Sequence, residues 1–411
     1  MSRTPPSAAP VALYVHFPFC LSVCPYCDFV VYGGRSARGP GNQVEAFVDA
    51  VVVEIGIRAE RDGPAGLESV YLGGWTPSLM SASQIGRVLA AIERGFGIAA
   101  SAEVTIEANP GPRERGDMAG FRAAGVNRLS IGAQSSDPSE LSRLGRRHSA
   151  ADVAETVTVA RAAGIHNISL DLLYDVPGQT ADSWRRTLDA ALALAPDHVS
   201  AYALALDDPE AEGLIGPTGD HLPVRPGSRR WRARARPEQD DGRAAEFYEV
   251  ADELLSAAGL AWYELSNWAR PGRASRHNLC YWLGDAWEAV GPGAHAFDGA
   301  RTRRWNAARL DGYFAALVPT DGSDGRLPHG GAETTDEVTA AAEGAILRLR
   351  TSFGLPVEIA ARRQFAAALS WARANGLIET SGTAARLTNR GRLLSNEVFL
   401  RLLPDPEAAV A

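Results

Sequence analysis

Between residue 11 and about residue 206 the chain repeats one unit six times, a short apolar, β-branched run followed by a longer helical stretch of Ala, Leu, Glu and Arg. The strand-like runs are ALYVHF (12 to 17), SVYLGG (69 to 74), EVTIEAN (103 to 109), RLSIGAQ (128 to 134), NISLDLLY (167 to 174) and HVSAYALAL (198 to 206). Between them lie helical stretches such as NQVEAFVDAVVVEIGIRAE, SASQIGRVLAAIERGF and ADSWRRTLDAALALA. Strands joined through helices return to one sheet by crossovers, so they run parallel, the crossovers are right-handed and the helices lie outside. Six units fall short of the eight that close a full barrel. The expected class is therefore α/β, as an open partial (β/α)6 barrel, with a flat doubly wound sheet as the alternative.

Both architectures hold ligands at the C-terminal ends of the strands. Polar residues gather there: Tyr14 and His16 on the first run, Glu107 on the third, Gln134 on the fourth, Asp171 on the fifth and Ser200 on the sixth. Glu107 and Asp171 interrupt apolar strands, where an ionised carboxylate is costly without a partner. A salt bridge to one of the arginines explains either one alone. Several polar residues at one rim, on successive strands, favour a site.

Four cysteines occur in 411 residues, and three of them, Cys20, Cys24 and Cys27, form CxxxCxxC just after the first run. That spacing reads as metal chemistry rather than a disulfide framework. Zinc normally takes a fourth Cys or His; His16 lies on the preceding strand and Cys280 is remote in sequence. A [4Fe-4S] cube on three cysteines leaves one iron open to a substrate or cofactor. Structural zinc and inert thiols stay open as alternatives.

The basic residues are all arginine, 41 of them, and the net charge is -8. Without lysine there is no P-loop or kinase lysine and no Schiff base to a carbonyl or pyridoxal phosphate. The acidic balance argues against nucleic acid held by phosphate contacts. No signal-peptide core and no membrane-length apolar run is visible, so a cytoplasmic protein that is not integral to a membrane is expected.

Residues 1–10 read as a flexible N-terminus, 11–240 as the core barrel, 241–330 as an extension of it and 331–411 as a smaller C-terminal α+β module. In the last, helices precede a short strand pair, as in a winged helix, without the clustered basic helix of a DNA reader. After residue 206 a Gly-, Pro- and charge-rich stretch reads as a surface excursion. Its arginines, Arg225, Arg229, Arg230, Arg232, Arg234 and Arg236, suit phosphates or propionates, although an ordinary solvated helix start balanced by EQDD fits equally well. LAWYELSNWARPG and HNLCYWLGDAWEAVGPGAHAF read as strand and turn elements.

The run YVHFPFCLSVCPYCDF resembles the signature of the radical S-adenosylmethionine (SAM) superfamily. YLGGWTPSLM, VTIEANPG, GVNRLSIGAQSSDPSELSRLGRRH, LDLLYDVPGQT, HNLCYW and LTNRGRLLSNEVFLRLL are similar to segments of its HemN/HemW group, the oxygen-independent coproporphyrinogen III oxidases and their relatives. The likeness extends over nearly the whole chain. It implies a [4Fe-4S] cluster on Cys20, Cys24 and Cys27, with SAM chelating the fourth iron and cleaved to a 5'-deoxyadenosyl radical. It further implies that Tyr14 and Tyr26 flank the SAM and cluster site and that Gly74, Trp75 and Thr76 run along the methionine part. Glu107, Gln134, Arg146 and Asp171 are then the polar SAM contacts and Ala205 a main-chain contact. Carboxylates suit an amine and ribose hydroxyls, and Arg146 suits a carboxylate. Two positions depart from the group: Trp75, where it usually has glycine in GGGTP, and Asp175, where it usually has glycine in YGLPGQ.

Within the group, the oxidases tend to carry a further cysteine two residues after the third, where this chain has Phe29. The haem-chaperone branch carries CPYCDF and HNxxYW, here His277, Asn278, Tyr281 and Trp282, which suit a haem face or iron. The alternative for these residues is a histidine and aromatics packing a turn. The expected function is a haem chaperone that binds the cluster, SAM and haem and passes haem to acceptor proteins, with an electron donor of unknown identity. The alternative is an oxidase that decarboxylates coproporphyrinogen III.

Overall fold

The computed structural model describes residues 9–27, 30–37, 39, 41–206, 211–215, 219–319 and 323–404. Phe29 and residues 1–8 of the expected N-terminal tail lie outside the described residues.

Six strands follow the expected runs: β1 (Ala12–Phe17), β2 (Leu67–Gly74), β3 (Ile98–Ala108), β4 (Arg128–Gln134), β5 (Asn167–Tyr174) and β6 (His198–Ala203). Each pairs in parallel with the next. The crossovers contain α1 (Val44–Asp62), α2 (Ala82–Gly95), α3 (Met118–Ala124), α4 (Pro138–Arg143), α5 (Ala150–Ala162) and α6 (Ala181–Ala193). Three of these helices start where the sequence offers a capping box. Ser81, Ser149 and Thr180 each accept from the backbone three residues on, and that residue's side chain reaches back.

Strand periodicity separates core from cavity. On β4, Leu129, Ile131 and Ala133 join the main apolar core, while Arg128, Ser130, Gly132 and Gln134 line the interior. On β6, Val199 and Ala201 are core, and His198, Ser200 and Tyr202 face inward. Side chains alternate across a strand, so one sequence serves both layers.

Beyond β6 come α7 (Pro226–Ala235), α8 (Asp241–Ala257), β7 (Ala261–Glu264), β8 (Asn267–Ala269) and α9 (Arg276–Leu283). They are followed by β9 (Trp287–Val290), β10 (His295–Phe297), β11 (Thr302–Asn306), α10 (Leu310–Leu317) and β12 (His329–Thr334). Among the described residues the sheet has twelve strands in the order β12-β11-β10-β9-β1-β2-β3-β4-β5-β6-β8-β7, with β12 and β7 as its edges. The barrel is open, as expected. Its parallel run holds seven strands rather than six, because β9 pairs in parallel with β1.

Two expectations need correction here. HNLCYWL is a helix, not strand or turn: Ser275 accepts from the Asn278 N–H at 3.3 Å to start it, and Gly284 at φ 76° ends it. The stretch after residue 206 is also more than a surface excursion. It contains α7, whose Ala235 and Trp231 pack with Leu144, Leu173, Val176 and Leu204 as a separate apolar cluster.

The extension is bolted to α1 by buried charges. Arg58 donates to Glu54 at 2.8 Å within α1, to Glu288 on β9 at 3.1 Å and to Asn306 on β11 at 2.7 Å. Glu54 also accepts from Tyr313 of α10 at 2.5 Å, and Glu288 from Arg61 at 2.7 Å. Both carboxylates are fully buried. The last part of the chain, from α11 (Glu337–Leu349) on, has its own core, in which Leu349, Leu355, Phe365 and Leu369 pack with Leu387 and Val398. It carries a three-stranded antiparallel sheet of β13 (Leu355–Pro356), β14 (Ile378–Ser381) and β15 (Ala384–Leu387), with β15 in the middle.

Candidate functional site

The inward faces of β1 to β6 enclose a cavity of about 640 Å³. Its two carboxylates are held differently. Glu107 accepts from the Tyr71 hydroxyl at 2.8 Å and the Gly74 N–H at 3.0 Å. Asp171 accepts from the hydroxyls of Ser130, Ser169 and Ser200 at 2.9, 3.3 and 2.8 Å. The register explains the second set, since Ser169 lies opposite Ser130 and Asp171 opposite Ser200.

Burial raises the Glu107 carboxyl to about 8; the Tyr71 and Gly74 hydrogen bonds oppose the rise and the charge of Asp171 adds to it. Burial also raises Asp171 against its three serines. Among the described residues neither carboxylate is in a salt bridge. Arg128 acts on both from a distance, and its Nε, 3.9 Å from Glu103, has no hydrogen-bond partner. Two cavity carboxylates without a bound cation suit a ligand that brings a positive charge and hydroxyl donors.

The cysteine loop closes one side. Cys20 and Cys24 are buried, and Cys27 lines the cavity wall. Cys20 donates to the Ser22 carbonyl at 2.8 Å and accepts from the Thr76 hydroxyl at 3.7 Å. Arg146 reaches Cys24 Sγ at 3.8 Å and also donates to Asn109 at 2.6 Å and the Gly132 carbonyl at 2.8 Å. Among the described residues no three His, Cys, Asp or Glu side chains already converge as a metal site. The loop therefore presents three thiols close to the cavity without a preformed set. His16 is not poised as a fourth ligand, because its ring nitrogens are engaged by Tyr14 at 3.0 Å and the Val30 carbonyl at 2.9 Å. Cys280 is buried on α9, its thiol pushed up to about 12 by burial.

Tyr14, Tyr26, Gly74, Trp75, Gln134 and Ala205 also line the cavity. Thr76 does not; it is fully buried behind the loop, between Cys20 and Asn109. Gly74 is required as glycine, because at φ 110° a Cβ would lie 2.8 Å from the Phe17 carbonyl. Trp75 keeps its place in the turn through its N–H, which donates to that carbonyl at 3.1 Å, and its indole Nε1 is buried without a partner. Asp175 explains its own departure from glycine. Its φ of 57° is left-handed, which Asp tolerates, and its carboxylate accepts from Arg243 Nε at 2.7 Å.

The floor is made by α9. Glu103 accepts from the Ser275 hydroxyl at 3.2 Å and from the N–H groups of Arg276 and His277 at 3.0 and 3.3 Å. A carboxylate at a helix N-terminus meets the positive end of its dipole. This turns His277, Asn278 and Tyr281 into the cavity. The His277 ring engages Ser69 at 3.0 Å and the Tyr281 hydroxyl at 2.8 Å. Burial, with the Arg128 charge, lowers its pKa to about 3, so the imidazole is neutral. Trp282 is not among the cavity residues and lies under the Arg350 guanidinium at 4.6 Å.

Sequence reasoning missed Tyr71, Asn109, Arg128, Ser130, His198 and Tyr263 in this cavity. Arg128 and Ser130 sit in phase with Gln134 on β4 and His198 in phase with Ser200 on β6, so for these three the two-residue period was the signal available.

The residues present fit a [4Fe-4S] cluster and SAM in their donor chemistry: a loop of three soft thiols that puts Cys27 at the cavity wall, two carboxylates with no salt-bridge partner among the described residues, and a glycine turn that admits close approach. The family description of the radical SAM superfamily matches residues 14–191. The haem chaperone HemW of Mycobacterium tuberculosis is 38% identical over 401 residues, 97% of this chain and 96% of its own length. That of Bacillus subtilis is 32% identical over 395 residues, 94% of this chain and 97% of its own. Among solved structures, the coproporphyrinogen III oxidase HemN of Escherichia coli aligns with a TM-score of 0.77 at 21% identity, over 98% of this chain and 91% of that one, a likeness of fold. Similarity at that level along the whole length places the chain in the HemW family of the radical SAM superfamily.

Proposed function

We propose that this protein is a cytoplasmic haem chaperone that holds a [4Fe-4S] cluster and SAM in its barrel and passes haem to acceptor proteins. The observation that carries this reading is the 38% identity over 97% of the chain to a relative named a haem chaperone. A cavity of about 640 Å³ falls within the usual range for small-molecule sites, roughly 300–1,000 Å³.

When bound, the cluster and SAM supply one-electron reductive cleavage of a carbon–sulfur bond. On this reading Cys20, Cys24 and Cys27 hold the cluster, and Thr76 and Arg146 donate to their sulfurs. Glu107 and Asp171 receive the cationic and hydroxyl groups of SAM, with Gln134 and the Ala205 main chain at the rim. Tyr14 and Tyr26 wall the site and exclude water. His277, Asn278 and Tyr281 offer haem a neutral imidazole beside an aromatic face, and Trp282 supports them from outside the cavity. To ligate iron, His277 exchanges its bond to the Tyr281 hydroxyl, or that to Ser69, for the metal.

The test uses the reconstituted protein under anaerobic conditions with SAM, a reductant and either haemin or coproporphyrinogen III. A stoichiometric Soret band that is lost in His277→Ala, with no porphyrinogen consumed, is the expected result. Formation of protoporphyrinogen together with 5'-deoxyadenosine would overturn the chaperone reading in favour of an oxidase.

A further inference from the structure

We infer that Arg232, on α7, is the positioning residue of the cysteine loop. The inference rests on the reading of Cys20, Cys24 and Cys27 as cluster ligands. Arg232 is 5% exposed, and its guanidinium donates to three successive main-chain carbonyls: Pro25 at 3.3 Å, Tyr26 at 3.0 Å and Cys27 at 2.7 Å. Those carbonyls belong to the limb of the loop that ends in Cys27, the cysteine on the cavity wall. This limb is half-buried and outside regular structure, so carbonyls turned away from water need some other donor. One planar fork with five N–H groups can serve several at once and hold them in a fixed relation, as a lysine ammonium cannot.

The surrounding contacts make α7 a rigid platform for this grip. Trp231 and Ala235 pack with Tyr26 and the Leu144 cluster. One turn on, Arg236 donates to the Leu206 carbonyl at 2.5 Å, and Gln239 donates to the Leu204 carbonyl. The same segment thus ties the cysteine loop to the chain on both sides of Ala205. Of the six arginines in this stretch, Arg232 and Arg236 work on the protein's own backbone.

The grip has two separable consequences. Geometrically, Arg232 fixes the loop limb that carries Cys27. Electrostatically, it puts a permanent positive charge beside a centre held by thiolates. Reduction of that centre takes one electron from a low-potential donor, dithionite in the assay, and breaks no bond in the chain. A nearby cation favours the state that has gained the electron.

Hydrogen exchange of residues 20–27 in the cofactor-free protein reads the geometric part. Exchange should be at least tenfold faster in Arg232→Gln, with circular dichroism showing the fold intact. Redox titration of the reconstituted protein reads the charge: Arg232→Gln should lower the reduced-to-oxidised ratio about tenfold at a given potential, about 59 mV for one electron. Arg232→Lys keeps the charge but not the fork, so it should hold the wild-type midpoint while still exchanging faster. Unchanged exchange in Arg232→Gln, or in Arg232→Lys where the former does not fold, would overturn the inference. Faster exchange in a protein whose wild type takes up no iron and sulfide would support the positioning role and sink the cluster reading instead.

Discussion

Replacing Arg58 with methionine is expected to destabilise the fold by about 3–5 kcal/mol, the usual consequence of removing one partner from a buried ion pair. The guanidinium is 3% exposed and stands between Glu54 and Glu288, both fully buried. Glu288 keeps two guanidiniums, Arg61 and Arg304, but Glu54 keeps only neutral donors, in Tyr313, Asn306 and the Gly291 N–H, so without Arg58 one fully buried carboxylate loses its ion-pair partner. The cost should appear as a lower urea midpoint at unchanged slope. It should fall on the join between α1 and the extension, because Arg58 reaches β9 and β11, 230 and 248 residues away in sequence. A loss below about 1 kcal/mol would mean that water enters and screens the network.

The second large effect concerns the loop. Cys24→Ala should abolish iron and sulfide uptake on anaerobic reconstitution while changing the stability of the cofactor-free chain by no more than about 1 kcal/mol, the order expected for trimming a small buried side chain. Cys280→Ala makes the matched control, being equally buried at 4% exposed but on α9 away from the loop. It should show a similar stability change and load as the wild type does. If both variants load alike, the Cys24 thiol is only a small buried hydrophobe. If both lose the cluster, α9 supplies a ligand that the geometry does not indicate.

The six strand–helix units were readable because apolar runs alternate with helical patterns, and α2 to α6 each start at a side-chain cap, so local pattern and topology agree. β9 was not readable in that way. WEAV is four residues long, follows β1 by some 270 positions and finds its parallel partner only in the folded sheet. The HNLCYW helix was hidden for a related reason: its eight residues mix His, Asn and aromatics, and what turns it inward is Glu103, far away on β3. At the site, Glu107 and Asp171 stood out as charges in apolar strands. The three serines around Asp171 follow from strand register, which a single sequence does not display. Arg232 was one of six arginines in a stretch with no distinguishing neighbour, and its partners are main-chain carbonyls, which have no residue type to recognise. Trp75 and Asp175 were legible as departures, but only the φ of 57° and the contact with Arg243 explain why an aspartate can replace glycine.

On this reading the three-cysteine loop and the carboxylate cavity make one site, with SAM completing the cluster. Electron paramagnetic resonance of the reduced, reconstituted protein tests it most directly. The expected result is a cluster spectrum whose g-values shift when SAM is added, and a much weaker shift at the same SAM concentration in Glu107→Gln, which replaces a carboxyl that can ionise against the cation of SAM by an amide that cannot, while leaving all three cysteines. A wild-type cluster spectrum that is indifferent to SAM would contradict it.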